Sequence, residues 1–176
     1  ASDAWKYRDT SHAARHEMKA GVHTLKVAAS GSADAAITWI DAMSISNAGI
    51  VTKPAQPSFG VEKNDANTSS GIIICNSELF DVGGNHNTSN GRFTAPVAGK
   101  YFFAFNFMTT SASGHTNVWM SFRKNNSNFK DVYYSTASGH QQIAWSAVLN
   151  LAANDYVSIF NNNIPLYTAE GRYTSF

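Results

Sequence analysis

The ten residues Gly99-Lys100-Tyr101-Phe102-Phe103-Ala104-Phe105-Asn106-Phe107-Met108 constrain this chain more than any other stretch. In an extended chain successive side chains point to opposite faces, so Tyr101, Phe103, Phe105 and Phe107 form one wholly aromatic stripe. That stripe requires a core. The opposite stripe, Phe102, Ala104, Asn106 and Met108, is too apolar to face water along its whole length, and burying a Phe or Met side chain is worth roughly 1.5–3 kcal/mol. A second covering surface is expected, and we read it as an identical subunit.

Charged residues make up only 14% of the chain, whereas Gly, Ser, Thr, Asn and aromatic residues are plentiful. This balance suits strands joined by many turns, and the expected class is all-β. The net charge is +1 and no basic cluster is longer than Arg123-Lys124, which leaves no electrostatic footprint for nucleic acid. No apolar run approaches the length of a spanning helix, so membrane insertion is not expected. The single cysteine excludes an intrachain disulfide; Cys75, after Gly71-Ile72-Ile73-Ile74, reads as a small buried apolar residue. The chain opens Ala1-Ser2-Asp3 without an initiator Met or a secretory signal, as a fragment or a processed form would.

Residues 1–56 read as a small β-rich stem or shoulder domain. Asp9-Thr10-Ser11 followed by residues 12–19 and Gly21 fits either a short capped helix or a strand. Beyond it, Val22 and Thr24 alternate with His23 and Leu25, Ser30-Gly31-Ser32 and Asn47-Ala48-Gly49 mark turns, and residues 37–40 and 43–45 read as short strands. Pro54 and Pro57 stiffen the connection, which places the boundary before residues 57–176. There, strand candidates at 59–61, 72–75 and 78–82 precede a loop at 83–87. A flexible turn is expected at 110–114 and another at 125–128. Val118, Met120 and Phe122 alternate with Trp119, Ser121 and Arg123, and Ile143, Trp145, Ala147 and Leu149 form another one-faced stripe. Val157 and Ile159 alternate with Tyr156, Ser158 and Phe160, giving a second strand apolar on both faces. It is expected beside the central strand in one sheet, which adds Tyr156 and Phe160 to the subunit interface.

The spacing of Phe93, Gly99, Tyr101, Phe103 and Phe105 resembles the signature of the globular head domain of complement component 1q. Residues 149–159 resemble that family's later strand pair, and Thr174-Ser175-Phe176 its last strand. His86 departs from the pattern, which has an aromatic residue there, and the segment from Phe80 to Phe93 is shorter. The resemblance covers about residues 57–176. It implies a ten-strand, tumour-necrosis-factor-like jelly-roll sandwich that trimerises with its inner sheet on the axis. Phe93, Gly99, Tyr101, Phe103, Phe105 and Phe107 would form the core; Phe102, Ala104, Asn106, Met108, Tyr156 and Phe160 would form the trimer interface. In the first unit, Gly21-Val22-His23, Ile37-Thr38-Trp39 and residues 51–59 resemble segments preceding jelly-roll tips in fibre proteins of tailed bacterial viruses.

His12 and His16 are four apart and on a helix would share a face, as metal ligands can, but no third ligand is evident. His23, His86, His115 and His140 are dispersed. Ser30-Gly31-Ser32 lacks the context of a hydrolase nucleophile, and Gly83-Gly84 opens no phosphate-cradling helix. Asp81, Asp131, Asp155 and Glu170 lie near turns, where some members of the resembled family hold calcium; they form no recognisable loop, so no cofactor is expected beyond that option. Asp155 after Asn154 is expected to accept a turn hydrogen bond. Asn67-Thr68-Ser69, Asn87-Thr88-Ser89 and Asn125-Asn126-Ser127 match glycosylation acceptors. The loops rich in Asn, Ser, Gly and His suit an adaptable binding surface.

The functional expectation is a non-enzymatic homotrimer: the tip of a bacteriophage tail or head fibre, extracellular in the virion, contacting other virion proteins and a host-surface glycan or protein. The alternative keeps the fold as a secreted lectin-like or pattern-recognition head. A metal-dependent enzyme is the second alternative and requires a cluster of histidines or carboxylates in one pocket.

Overall fold

The computed structural model describes residues 5–65, 70–110, 118–134, 139–168 and 170–176. Among them there is no α-helix, and the chain divides into two compact units, Ala1–Gln56 and Pro57–Phe176. Residues 111–114 of the turn expected at 110–114, together with His115 and the acceptor at Asn67, lie outside the described residues.

The first unit is one antiparallel sheet of β1 (Ser11–Lys19), β2 (Val22–Gly31), β3 (Ile40–Ile45) and β4 (Val51–Thr52), in that order. Residues 12–19 are therefore strand, not helix. Ala20 and Gly21 both take positive φ, 51° and 76°, between the paired residues Lys19 and Val22, so the Gly that would cap a helix instead closes a two-residue hairpin. Residues 37–39, expected as strand, lie ahead of β3 and are tied to the N-terminal segment by Ile37 N–H donating to the Trp5 carbonyl at 3.0 Å.

The second unit is a sandwich of two sheets. The front sheet runs β13 (Gln142–Leu151), β10 (Gly99–Met108), β15 (Thr174–Ser175), β5 (Ser58–Glu62) and β7 (Ser77–Val82). The back sheet runs β12 (Ser127–Tyr134), β11 (Val118–Lys124), β14 (Tyr156–Asn162), β9 (Arg92–Thr94) and β8 (His86–Asn87), with β6 (Ser70–Ile72) also paired to β14. This is the all-β, jelly-roll-like architecture expected. The expectation that β14 lies beside β10 fails: β10 pairs with β13 and β15, whereas β14 pairs with β11, β9 and β6. Apolar residues on both faces mark a strand covered on both sides, but they do not say by which neighbour.

The core lies between the sheets. Phe103, Phe105 and Phe107 are buried along β10, and Tyr101 is half-buried with its hydroxyl donating to the Val97 carbonyl at 2.8 Å. They meet Val118, Met120 and Phe122 of β11 and Val157 and Ile159 of β14. Phe93, Phe103, Phe122 and Phe176 pack ring against ring, with centroids 5.4 to 6.3 Å apart across the Phe93–Phe103, Phe103–Phe122, Phe103–Phe176 and Phe122–Phe176 pairs. Gly99, at the entrance to β10, pairs with Leu151. Gly91 enters β9 at φ +66°, and a Cβ there would stand 2.4 Å from the Ile73 carbonyl oxygen.

Two turns at one end of the sandwich are locked together. Asn125 and Asn126, both at positive φ, join β11 to β12, and the Asn125 side chain donates to Asp155 at 2.7 Å and accepts from the Tyr156 amide at 2.9 Å. Asp155 also accepts from the Ala152 amide at 2.8 Å and pairs with Lys124 at 2.7 Å. These partners, Lys124 foremost and then Asn125, pull its carboxyl down to about 2.

Phe107 is fully enclosed. Phe107→Ala is expected to cost about 3–5 kcal/mol, read as a fall in the urea midpoint, because rigid strands on both sides limit collapse into the hole. Gly91→Ala should also destabilise, since both the positive φ and the Ile73 carbonyl oppose a methyl group.

Candidate functional site

The front sheet turns an apolar face away from the core. β10 and β13 pair in continuous register from Gly99↔Leu151 to Met108↔Gln142, so Phe102 lies opposite Val148, Ala104 opposite Ser146 and Asn106 opposite Ala144. Phe102 is 69% exposed and Val148 56%. Phe102, Ala104, Phe105, Ala144, Trp145 and Ser146 line an open groove of about 580 Å³. Trp145 belongs to the inward stripe, but β13 is an edge strand and part of the indole reaches solvent. The amide of Gln142 donates to Asn106 Oδ1 at 2.6 Å, so the polar member of the stripe is satisfied within the chain. Met108 is half-buried.

Tyr156 and Phe160 belong elsewhere. They lie on the back sheet, where side chains of the same chain cover them. The Arg92 guanidinium stands 4.3 Å from the centroid of Tyr156 and that of Arg123 3.5 Å from Phe160, with Trp119 packed 5.5 Å from Phe160. Cation–π contact and the aliphatic stems of arginine do on this face what a second subunit was expected to do.

The remaining candidates scatter. His12 and His16 share a strand, and His16 pairs with His23, Nε2 to Nδ1, at 3.2 Å. His140 Nδ1 donates to the Thr109 carbonyl at 2.8 Å. Asp81 caps the amides of Asn85 and His86 at 3.1 and 2.8 Å, Glu170 pairs with Arg172, and Asp131 lies exposed on β12. Among the described residues no three metal-ligating side chains come together. Cys75 is buried, and burial pushes its thiol up to about 12, which leaves no thiolate for nucleophilic attack near neutral pH.

His86, which in the sequence only breaks a pattern, is enclosed by rings. Its ring is 7% exposed and stacks on Phe59, with centroids 5.0 Å apart at 13° between planes, while Phe59 stacks in turn on Phe93 at 5.1 Å. Phe176 meets the imidazole edge-on at 6.0 Å. The imidazole thus occupies an aromatic slot, and among the described residues neither ring nitrogen has a hydrogen-bond partner. Burial lowers its pKa from the ordinary 6.5, opposed in part by the charge of Asp81. Beside it, Asn85, Asn87, Thr88, Thr94 and Asn154 bring amides and hydroxyls to an open hollow of about 520 Å³ whose wall also includes Ala95 and Pro96.

The model of the C1q domain matches residues 58–176. The chain belongs to the C1q domain family. Complement C1q tumor necrosis factor-related protein 3 of Mus musculus is 32% identical over 111 residues, covering 63% of this chain and 44% of that protein. Its Homo sapiens counterpart is 31% identical over 111 residues with the same coverage. The chain therefore spans less than half the length of these relatives. The globular domain of zebrafish complement 1qA shares the fold, with a TM-score of 0.50 at 20% identity over 62% of this chain and 88% of that one. These matches overturn the bacteriophage fibre and its virion setting: the relatives are animal C1q proteins, and the motifs that carried the viral resemblance are short runs of common residues.

An unpaired buried imidazole makes stability depend on pH. Above about pH 7 His86 is neutral in both states; below 6.5 the unfolded chain takes up the proton first, so stability falls with pH until the depressed folded-state pKa is passed. His86→Phe is expected to raise stability by about 1–3 kcal/mol at pH 7 and to flatten the decline between pH 7 and 5, measured by urea unfolding across that range.

Proposed function

We propose that the chain is a non-enzymatic, extracellular recognition module whose C1q-type head works as a homotrimer joined through the outward face of β10 and β13. The observation that carries this reading is Phe102, a large aromatic side chain 69% exposed at the centre of the longest strand pair, directly opposite the exposed Val148. Removing such a side chain from water is worth roughly 1.5–3 kcal/mol per copy, and threefold symmetry covers it in every copy at once. Family membership supports the same arrangement, since head domains of this fold present their inner sheet to the axis.

In this reading the ligand is met by loops at the end of the sandwich. The hollow bordered by Asn85, Asn87, Thr88, Thr94 and Asn154 offers amide and hydroxyl groups suited to a neutral, hydroxyl-rich ligand such as a glycan. Its open shape argues for weak binding at each site. Three copies held together gain avidity through effective concentration without any one tight pocket.

Light scattering should give three times the chain mass for the wild type. Phe102→Asp should give a single chain mass with an unchanged far-ultraviolet circular dichroism spectrum, because Phe102 contributes nothing to the core. A trimer that survives Phe102→Asp and Val148→Asp together would exclude this face. On an array of neutral glycans, the monomeric variant should lose signal by about a hundredfold relative to the trimer, the scale of avidity from linked weak sites.

A further inference from the structure

The sheet of residues 11–52 is built with its polarity reversed, and this feature is independent of the head. On one face Arg15, Glu17, Lys26 and Asp41 form a chain of ion pairs: Arg15 to Glu17 at 3.1 Å, Lys26 to Glu17 at 3.4 Å and Lys26 to Asp41 at 2.7 Å. This charged face is the one that the unit's own irregular segments cover. Trp5 and Trp39 stack on the Arg15 guanidinium at 5.6 and 4.8 Å, and Tyr7 is buried, its hydroxyl donating to the Ala29 carbonyl.

The opposite face is apolar and exposed among the described residues of the unit. Pairing places Met18 beside His23, Leu25 beside Met43, Val27 beside Ile40, and Ile45 beside both His23 and Val51. Met18 is 70% exposed, and Leu25, Val27, Ile40, Ile45 and Val51 are all exposed. None of these positions has an Asp, Glu, Lys or Arg as its cross-strand partner. Its polar members, His16 and His23, stack on each other and satisfy one another at 3.2 Å.

We propose that this face packs against the same face of other copies of the chain, forming a second, separate zone of self-association; the proposal rests on the trimeric head. Three features select identical copies as the occupant. A face with no charge and an internally satisfied histidine pair has no electrostatic complement to seek in a different partner. Four strands roughly 4.8 Å apart make a footprint of only a few hundred Å², well below the ~800 Å² per partner of a stable stand-alone complex. Such a surface closes when something else supplies concentration. The tether does so: only residues 53–57 separate β4 from β5, and at about 3.3–3.6 Å per residue they reach no further than about 18 Å. Three heads on one axis thus hold three such sheets at an effective concentration on the order of millimolar, where weak apolar contact suffices.

The test uses the full chain and three variants: Leu25→Glu with Ile45→Glu, Phe102→Asp, and Leu25→Cys. Trimer dissociation is followed by sedimentation across a dilution series, and deuterium uptake is read over residues 22–45. The paired Glu substitutions should raise the dissociation concentration at least tenfold and speed exchange over 22–45, with an unchanged circular dichroism spectrum because both positions are exposed. Leu25→Cys should form a disulfide between chains on mild oxidation, Cys75 being buried. If the Glu variant leaves the trimer and its exchange untouched while Phe102→Asp dissociates it, this inference fails and the head reading stands. If Phe102→Asp leaves a trimer that the Glu variant breaks, the head reading fails and this inference fails with it, because the head then supplies no tether. Protection of residues 22–45 that persists in a monomeric Phe102→Asp chain would show the face covered within its own chain and would overturn the proposal.

Discussion

The head unit depends on a continuous packing of rings drawn from strands far apart in the chain. Phe59 of β5 touches His86, Phe93, Phe103 and Phe176, and Phe103 passes the contact on to Phe122 of β11. Each such pair contributes roughly 0.5–1.5 kcal/mol beyond the area it buries, and none of these ring contacts joins the two strands of one hairpin. The sheets are therefore held face to face by contacts that form only once both are in place. The buried imidazole of His86 fits the same logic: its shape serves the stack, and its unpaired nitrogens are the cost.

A two-layer sandwich has only one inside, so every apolar residue on an outer face needs another cover. The chain meets this need in different ways. On β14, Arg92, Arg123 and Trp119 lie over Tyr156 and Phe160, and the surface is closed within the molecule. On β10 and β13, Phe102 and Val148 stay exposed among the described residues. In the first unit, Trp5 and Trp39 are spent on the charged side of the sheet, which leaves the apolar side open as well. The two open surfaces are where association gains most per residue, because removing them from water opposes no desolvation of charge.

Much of this was legible in the residues. The alternation from Tyr101 to Phe107 identified the core stripe of β10, and the one-faced stripe from Ile143 to Leu149 identified its partner, because period-two patterning records which side of a strand is dry. The domain boundary is marked by Pro54 and Pro57. Residues 12–19 were ambiguous because Gly21 serves a helix end and a hairpin turn equally well; pairing with β2 settled the matter. His86 could be seen only as a departure, since a ring's usefulness as a flat, nearly apolar plate depends on what lies above and below it.

By itself the sequence determined the all-β class and the existence of a second apolar face on β10, both of which follow from local alternation and turn chemistry. Only the tertiary structure decided which sheet each strand joins, and with it that Tyr156 and Phe160 lie opposite the face carrying Phe102. It alone showed that arginines cover one apolar face while two others stay bare. The reason is physical: periodicity reports that a side chain must leave water, whereas strand pairing and cross-strand neighbours, which join residues tens of positions apart, determine what it meets when it does.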